Sequence, residues 1–124
     1  MKKVIKTDLA PGAIGPYSQG INIGDMFFFS GQIPLNPQTG EMPEGIEAQT
    51  KQALDNVKGL LDSQGMDFSN VVKTTVFLDN MGDFNVVNEI YAQYFVEPYP
   101  ARSAVEVAKL PRGALVEVEV IATK

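Results

Sequence analysis

Leu115-Val-Glu-Val-Glu-Val-Ile121 is the stretch whose placement decides the fold. It alternates strictly, with Val116, Val118 and Val120 on one side and Leu115, Glu117, Glu119 and Ile121 on the other, which is the period of a strand. The spacing predicts that this last strand runs from Leu115 to Ala122. Just upstream, Ser103 to Ala108 reads as another strand, with Leu110-Pro-Arg-Gly113 as a turn between them. A simple hairpin about Pro111-Arg112 would set Glu106 opposite Glu117. Like charges directly opposite destabilise a strand pair. The final strand is therefore expected to insert elsewhere, between strands at residues 26–33 and 71–78.

Those two strands are read directly from the chain. Gly20-Ile-Asn-Ile and Met26-Phe-Phe-Phe-Ser-Gly-Gln-Ile33 flank the turn signal Gly24-Asp25, so residues 18–33 form a hairpin. Val71-Val-Lys-Thr-Thr-Val-Phe-Leu78 is β-branched and aromatic, hence a strand. Val4-Ile5 is a short edge strand. From Ile46 to Gln64, residues Ile46, Thr50, Ala53, Leu54, Val57, Leu60 and Leu61 fall on one helical stripe that ends at Gly65. A second helix, with Asp83 as its cap, runs to about Phe95 on a stripe of Phe84, Val87, Ile90, Tyr91 and Tyr94. Pro98 and Pro100 prevent it from continuing.

The order β, ββ, α, β, α, β, β predicts one α+β domain spanning residues 1–124, with a mixed, mostly antiparallel sheet and two helices on one face. Yet Phe27-Phe28-Phe29 and Val76-Phe77-Leu78 are apolar on both sides of their strands. Such runs mark a sheet covered on both faces. No further element is available as a cover, so a homo-oligomer with packed sheets is expected.

Composition excludes several chemistries. The chain has no cysteine and no histidine. Disulfides, thiol nucleophiles, Cys/His zinc sites and Ser-His-Asp triads are thus ruled out. Proton transfer falls to Asp, Glu, Lys, Tyr, backbone or water. A net charge of −5 argues against a nucleic-acid partner. No signal segment, membrane span or acidic metal loop is legible, so a cytoplasmic protein without a metal is expected.

Two side chains carry the strongest chemical hints. Arg102 follows a Pro-x-Pro-Ala turn and offers a planar fork that matches a carboxylate. A surface arginine or a structural ion pair is the alternative. Glu117 lies in an apolar strand, where desolvation would raise its pKa towards the range useful to a general base. A solvent-facing glutamate is the alternative. Tyr17 sits on a Gly/Pro-framed loop that could close over a pocket. Ser30-Gly31 ends an apolar strand, where glycine permits close approach and offers an N–H. Asn88 lies on the second helix.

Together these segments resemble the RidA/YjgF family of reactive-intermediate deaminases. The likeness rests on Gly15-Pro-Tyr-Ser-Gln-Gly20, Phe29-Ser-Gly-Gln-Ile-Pro34, Val72-Lys-Thr-Thr-Val-Phe-Leu78, Asp83-Phe84 with Asn88, and Pro100-Ala-Arg-Ser-x-Val105 with Glu117. The resemblance implies a chorismate-mutase-like fold and a homotrimer with clefts between subunits. It also implies hydrolysis of 2-enamine/2-imine acids to 2-keto acids and ammonia without cofactor or metal. Arg102 matches the family's carboxylate-binding arginine, Glu117 its water-handling glutamate, and Tyr17 the tyrosine over the cleft. Ser30, Gly31 and Asn88 match positions that line or support it. Ala104 stands where many members have cysteine, which leaves only a backbone contact there. A binding module that senses 2-keto acids without turnover would use the same pocket.

Overall fold

The alternation of Val116, Val118 and Val120 with Glu117 and Glu119 places this strand at the centre of the molecule. The computed structural model describes residues 1–124. Six strands form one sheet: β1 (Lys3–Ile5), β2 (Gly20–Ile23), β3 (Met26–Phe29), β4 (Val71–Leu78), β5 (Ala101–Glu106) and β6 (Val116–Thr123). Their spatial order is β1-β2-β3-β6-β4-β5, so the last strand is inserted between β3 and β4 as expected. All pairs are antiparallel except β4 with β5. Glu117 lies opposite Phe77 of β4, and Glu106 lies opposite Leu78, so the two glutamates never meet.

Two helices, α1 (Ile46–Ser63) and α2 (Phe84–Tyr94), cover one face. The α1 stripe is buried from Thr50 to Leu61 as its spacing predicts, and Ile46 is half-buried against the core. The helix ends in a Schellman turn, where Gly65 N–H donates to Asp62 O at 3.1 Å and Met66 N–H donates to Leu61 O at 3.0 Å. Gly65 takes φ 69° there, a conformation that favours glycine. Against the helices pack Phe27 and Phe29 of β3, Val76 and Leu78 of β4, and Val116, Val118, Val120 and Ala122 of β6. This is the core.

The opposite face has no cover within the chain. Phe28 is 41% exposed, Phe77 and Ile121 are half-buried, and Lys73, Thr75 and Glu119 surround them.

Several details differ from the sequence reading. The expected strand Ser103 to Ala108 is instead Ala101–Glu106. Pairing with β4 starts immediately after Pro100, because Lys73 sets the register with Ala101. The hairpin is narrower than residues 18–33, since β3 stops at Phe29 and only Gln32 rejoins the sheet, opposite Val118. Asp83 precedes α2 but makes no side-chain cap bond. Asn80 acts one turn earlier, accepting from Gly82 N–H at 2.8 Å at the start of the 3-10 turn Met81–Asp83.

Candidate functional site

Glu117 leaves β6 on the uncovered face, where a loop brings Gly31 against it. A Cβ on residue 31 would collide with Glu117 Oε2, so only glycine lets the carboxyl lie where it does. The neighbours of Gly31 are tied down. Ser30 N–H donates to Gln19 O at 2.9 Å, and Ser30 Oγ donates to Ser18 O at 2.6 Å. Gln32 and Val118 exchange backbone bonds of 2.8 and 3.1 Å. The Gly31 N–H between them has no acceptor in the chain, so it is free to donate to a ligand.

Burial pushes the Glu117 carboxyl above the usual carboxylate range, and the charge of Glu119 adds to this. Glu117 forms one wall of a cleft of about 570 Å³, with Tyr17, Gln19, Ser30, Gly31 and Arg112 also lining it. Gln19 is 4% exposed and holds the approach to this cleft in place. Its Nε2 lies 3.0, 3.2 and 2.8 Å from the carbonyl oxygens of Thr7, Ala10 and Pro11, and its Oε1 accepts from Thr7 N–H at 2.7 Å. The loop that carries Tyr17 is thereby lashed to the N-terminal strap.

Arg102 is elsewhere. Its partner in register is Thr74, which is fully buried on the helix side, so Arg102 points to that side too. Its Cζ sits 4.8 Å from the Tyr91 ring centroid and 5.4 Å from that of Phe84, both on α2. Its Nη1 donates to Asn88 Oδ1 at 2.8 Å. The Tyr91 hydroxyl shares a 2.9 Å bond with Thr74 Oγ1, and burial pushes its phenol up. A second cleft of about 410 Å³ opens beside Arg102, between Asn88, Tyr91, Tyr99 and Pro100. Ala104 lies two residues along on the same side, half-buried against the core.

The site residues named from sequence therefore fall into two groups. Tyr17, Ser30, Gly31 and Glu117 come together in one cleft, and Arg102 and Asn88 in the other. Glu117 and Arg102 point to opposite faces of the sheet, with β4 between their strands. Within one chain they cannot act on one small molecule. Sequence reasoning did not single out Gln19, Tyr91 or Arg112. In the sequence Tyr91 reads only as part of a helical stripe. Its spacing from Asn88, i to i+3, would have put both on one helix face. Gln19 carried no signal beyond its place after Tyr17-Ser18, and Arg112 none beyond its place between Pro111 and Gly113. No group of three or more acidic side chains is arranged to hold a metal ion.

Comparison with known proteins places this geometry in a family. Residues 7–124 match the family model described as endoribonuclease L-PSP. The 2-iminobutanoate/2-iminopropanoate deaminase of Escherichia coli K12 is 49% identical, with 100% of this chain and 99% of that protein covered. A RutC family protein of Pyrococcus horikoshii is 51% identical over 100% of this chain and 99% of its own length. Among solved structures, E. coli TdcF with bound serine superposes with a TM-score of 0.94 at 44% identity, covering 98% of each chain. Similarity of sequence and of fold over essentially the whole length leads to one assignment: the chain belongs to the RidA/YjgF family of reactive-intermediate deaminases.

Proposed function

We propose that this protein is a cytoplasmic homotrimer of chorismate-mutase-like subunits that hydrolyses 2-enamine/2-imine acids, such as 2-aminoacrylate and 2-iminobutanoate, to 2-keto acids and ammonia. The observation that carries this reading is the separation of Arg102 from Glu117. Each lies in an open cleft, and neither takes part in the chain's two ion pairs, Lys51–Glu47 and Lys58–Asp62. An assembly in which the edge strand β5 of one copy meets the uncovered sheet face of the next would bring Arg102 towards Glu117 and complete the site. It would also bury Phe28, Phe77 and Ile121, as their apolar character favours.

In this site the substrate carboxylate docks on Arg102, which Asn88 and the two aromatic rings hold in place. The free Gly31 N–H and the backbone at Ala104 complete its hydrogen bonds. The enamine tautomerises to the imine. Water adds to the carbon of the protonated imine as Glu117 accepts its proton, giving a neutral carbinolamine. Glu117 returns that proton to nitrogen, the hydroxyl proton passes to solvent water as the carbonyl forms, and the C–N bond breaks with its electron pair leaving on ammonia. A raised pKa suits a carboxylate that must both take and give a proton near neutrality. Tyr17 closes over the reacting atoms. No step calls for a cofactor or metal.

The serine held by TdcF is a small amino acid with a carboxylate of the kind Arg102 suits. This observation favours a second reading, a trimer that senses small carboxylates without turnover. An endoribonuclease reading has less support, because the net charge is −5 and the two arginines stand in separate clefts. The deciding experiment generates 2-aminoacrylate with a serine dehydratase and follows pyruvate and ammonia. Faster release with this protein supports the deaminase. Unchanged release alongside binding of 2-oxobutanoate leaves the sensor.

A further inference from the structure

The chain has two arginines, and the chemistry above uses only Arg102. Arg112 stands in the other cleft, on the rim that also holds Glu117. It is the one non-glycine residue with a positive φ, 61° with ψ 19°. A residue with a Cβ is strained there, and such strain gathers where a side chain must be aimed. The tight turn Pro111–Gly113 holds it, with Gly113 N–H donating to Leu110 O at 3.3 Å and Ala114 N–H to Pro111 O at 3.1 Å. Its guanidinium is exposed and belongs to neither ion pair of the chain. The cleft thus holds an unpaired cation and a carboxyl at separate places on its wall.

We propose that Arg112 is a specificity-determining residue that receives a second carboxylate at the far end of the substrate, so that the site takes 2-imino dicarboxylic acids. This inference rests on the deaminase reading above. With the α-carboxylate on Arg102 of a second copy and the imine carbon at Glu117, the remaining end of a longer substrate extends along the rim. The fork of Arg112 matches a terminal carboxylate in two parallel hydrogen bonds, where an aliphatic end would leave it in water. The cleft has room for such a ligand. Its 570 Å³ falls within the range of about 300–1,000 Å³ typical of sites for molecules much larger than a three-carbon acid.

The test generates 2-imino acids in situ with amino-acid oxidases, from leucine for an aliphatic substrate and from glutamate for a dicarboxylic one. It compares wild type with Arg112→Ala, Arg112→Lys and Arg112→Glu. The expected result is a fall of roughly 10- to 100-fold in the ratio of kcat/KM for the dicarboxylic over the aliphatic imine in Arg112→Ala. The fall should lie mainly in KM, be partly restored in Arg112→Lys and be deepest in Arg112→Glu. A ratio that stays at the wild-type value overturns the proposal, because a purely structural turn residue would lower both substrates alike. If wild type accelerates neither imine, the deaminase reading has failed instead. Calorimetric binding of 2-oxoglutarate against 2-oxobutanoate then decides, and an affinity ratio unmoved by Arg112→Ala rejects the second carboxylate site.

Discussion

The two sides of β6 do different work. On the side towards the helices, Val116, Val118 and Val120 are at most 1% exposed and sit at the middle of the core. On the other, Glu117 is half-buried in a cleft and Glu119 is exposed. One strand therefore specifies the fold with its even residues and supplies the candidate chemistry with its odd ones. A slip of one residue would exchange the two sets. Arg102 is the exception to this division. It lies on the helix side, but β5 is the edge strand, and its guanidinium sits against α2 at the border of an open cleft.

The contrast breaks most visibly at Val118. Val118→Asp would bury an unpaired charge at the centre of the sheet, costing at least about 3 kcal/mol, enough to abolish a cooperative melt in circular dichroism. Glu117→Gln, one residue away, should leave the melt intact and lower turnover by roughly 10²- to 10⁴-fold in the dehydratase-coupled assay. A Val118→Asp variant that melts like wild type would show that the two sides are not divided as described. So would a Glu117→Gln variant that fails to fold.

The exception at Arg102 is tested by mixing subunits. Arg102→Ala and Glu117→Ala should each be inactive alone. Unfolded and reassembled together at equal amounts, they should recover roughly a quarter of wild-type turnover, because random assembly pairs an intact Arg102 with an intact Glu117 at one cleft in four. No recovery would place both groups in a single subunit's site, against the observed separation. Arg102→Lys is the milder change. It keeps the charge but loses the fork and the stacking on Tyr91 and Phe84, and kcat/KM should fall about 10-fold or more.

Much of this division is legible in the sequence. The alternation at Leu115–Ile121 gives both sides of β6, and the clash of Glu106 with Glu117 predicts the insertion between β3 and β4. The triple Phe27-Phe28-Phe29 announces the uncovered face, since Phe28 remains 41% exposed. The start of β5 at Ala101 is not legible, because its residues gain strand geometry from the parallel partner β4, a non-local pairing with no local signal. The assignment of Arg102 and Glu117 to opposite faces needed register, which composition does not carry. Arg112 is indistinct in the sequence because its distinguishing property is a backbone dihedral.

The smallest effect follows from the pKa of Glu117 and separates cleft from core by sign. Its folded-state pKa lies above the ordinary value of 4.5 because of burial and the charge of Glu119. The folded protein thus holds this proton more tightly than the unfolded chain does. As pH rises from about the unfolded value through the folded pKa, the unfolded state releases the proton first and stability declines. Above that window the ionised carboxylate is a steady cost; below it, both states are protonated and the cost is gone. Glu117→Gln, which cannot ionise, should therefore melt slightly higher than wild type at pH 7 and at nearly the same temperature at pH 4. The acid limb of turnover in wild type should lie above the ordinary glutamate range, since the proposed base works as the carboxylate. Melting curves of the two proteins that stay parallel from pH 4 to 7 would show that Glu117 has the same proton affinity folded and unfolded. The cleft would then not be the desolvated environment that distinguishes it from the exposed Glu119 two residues along.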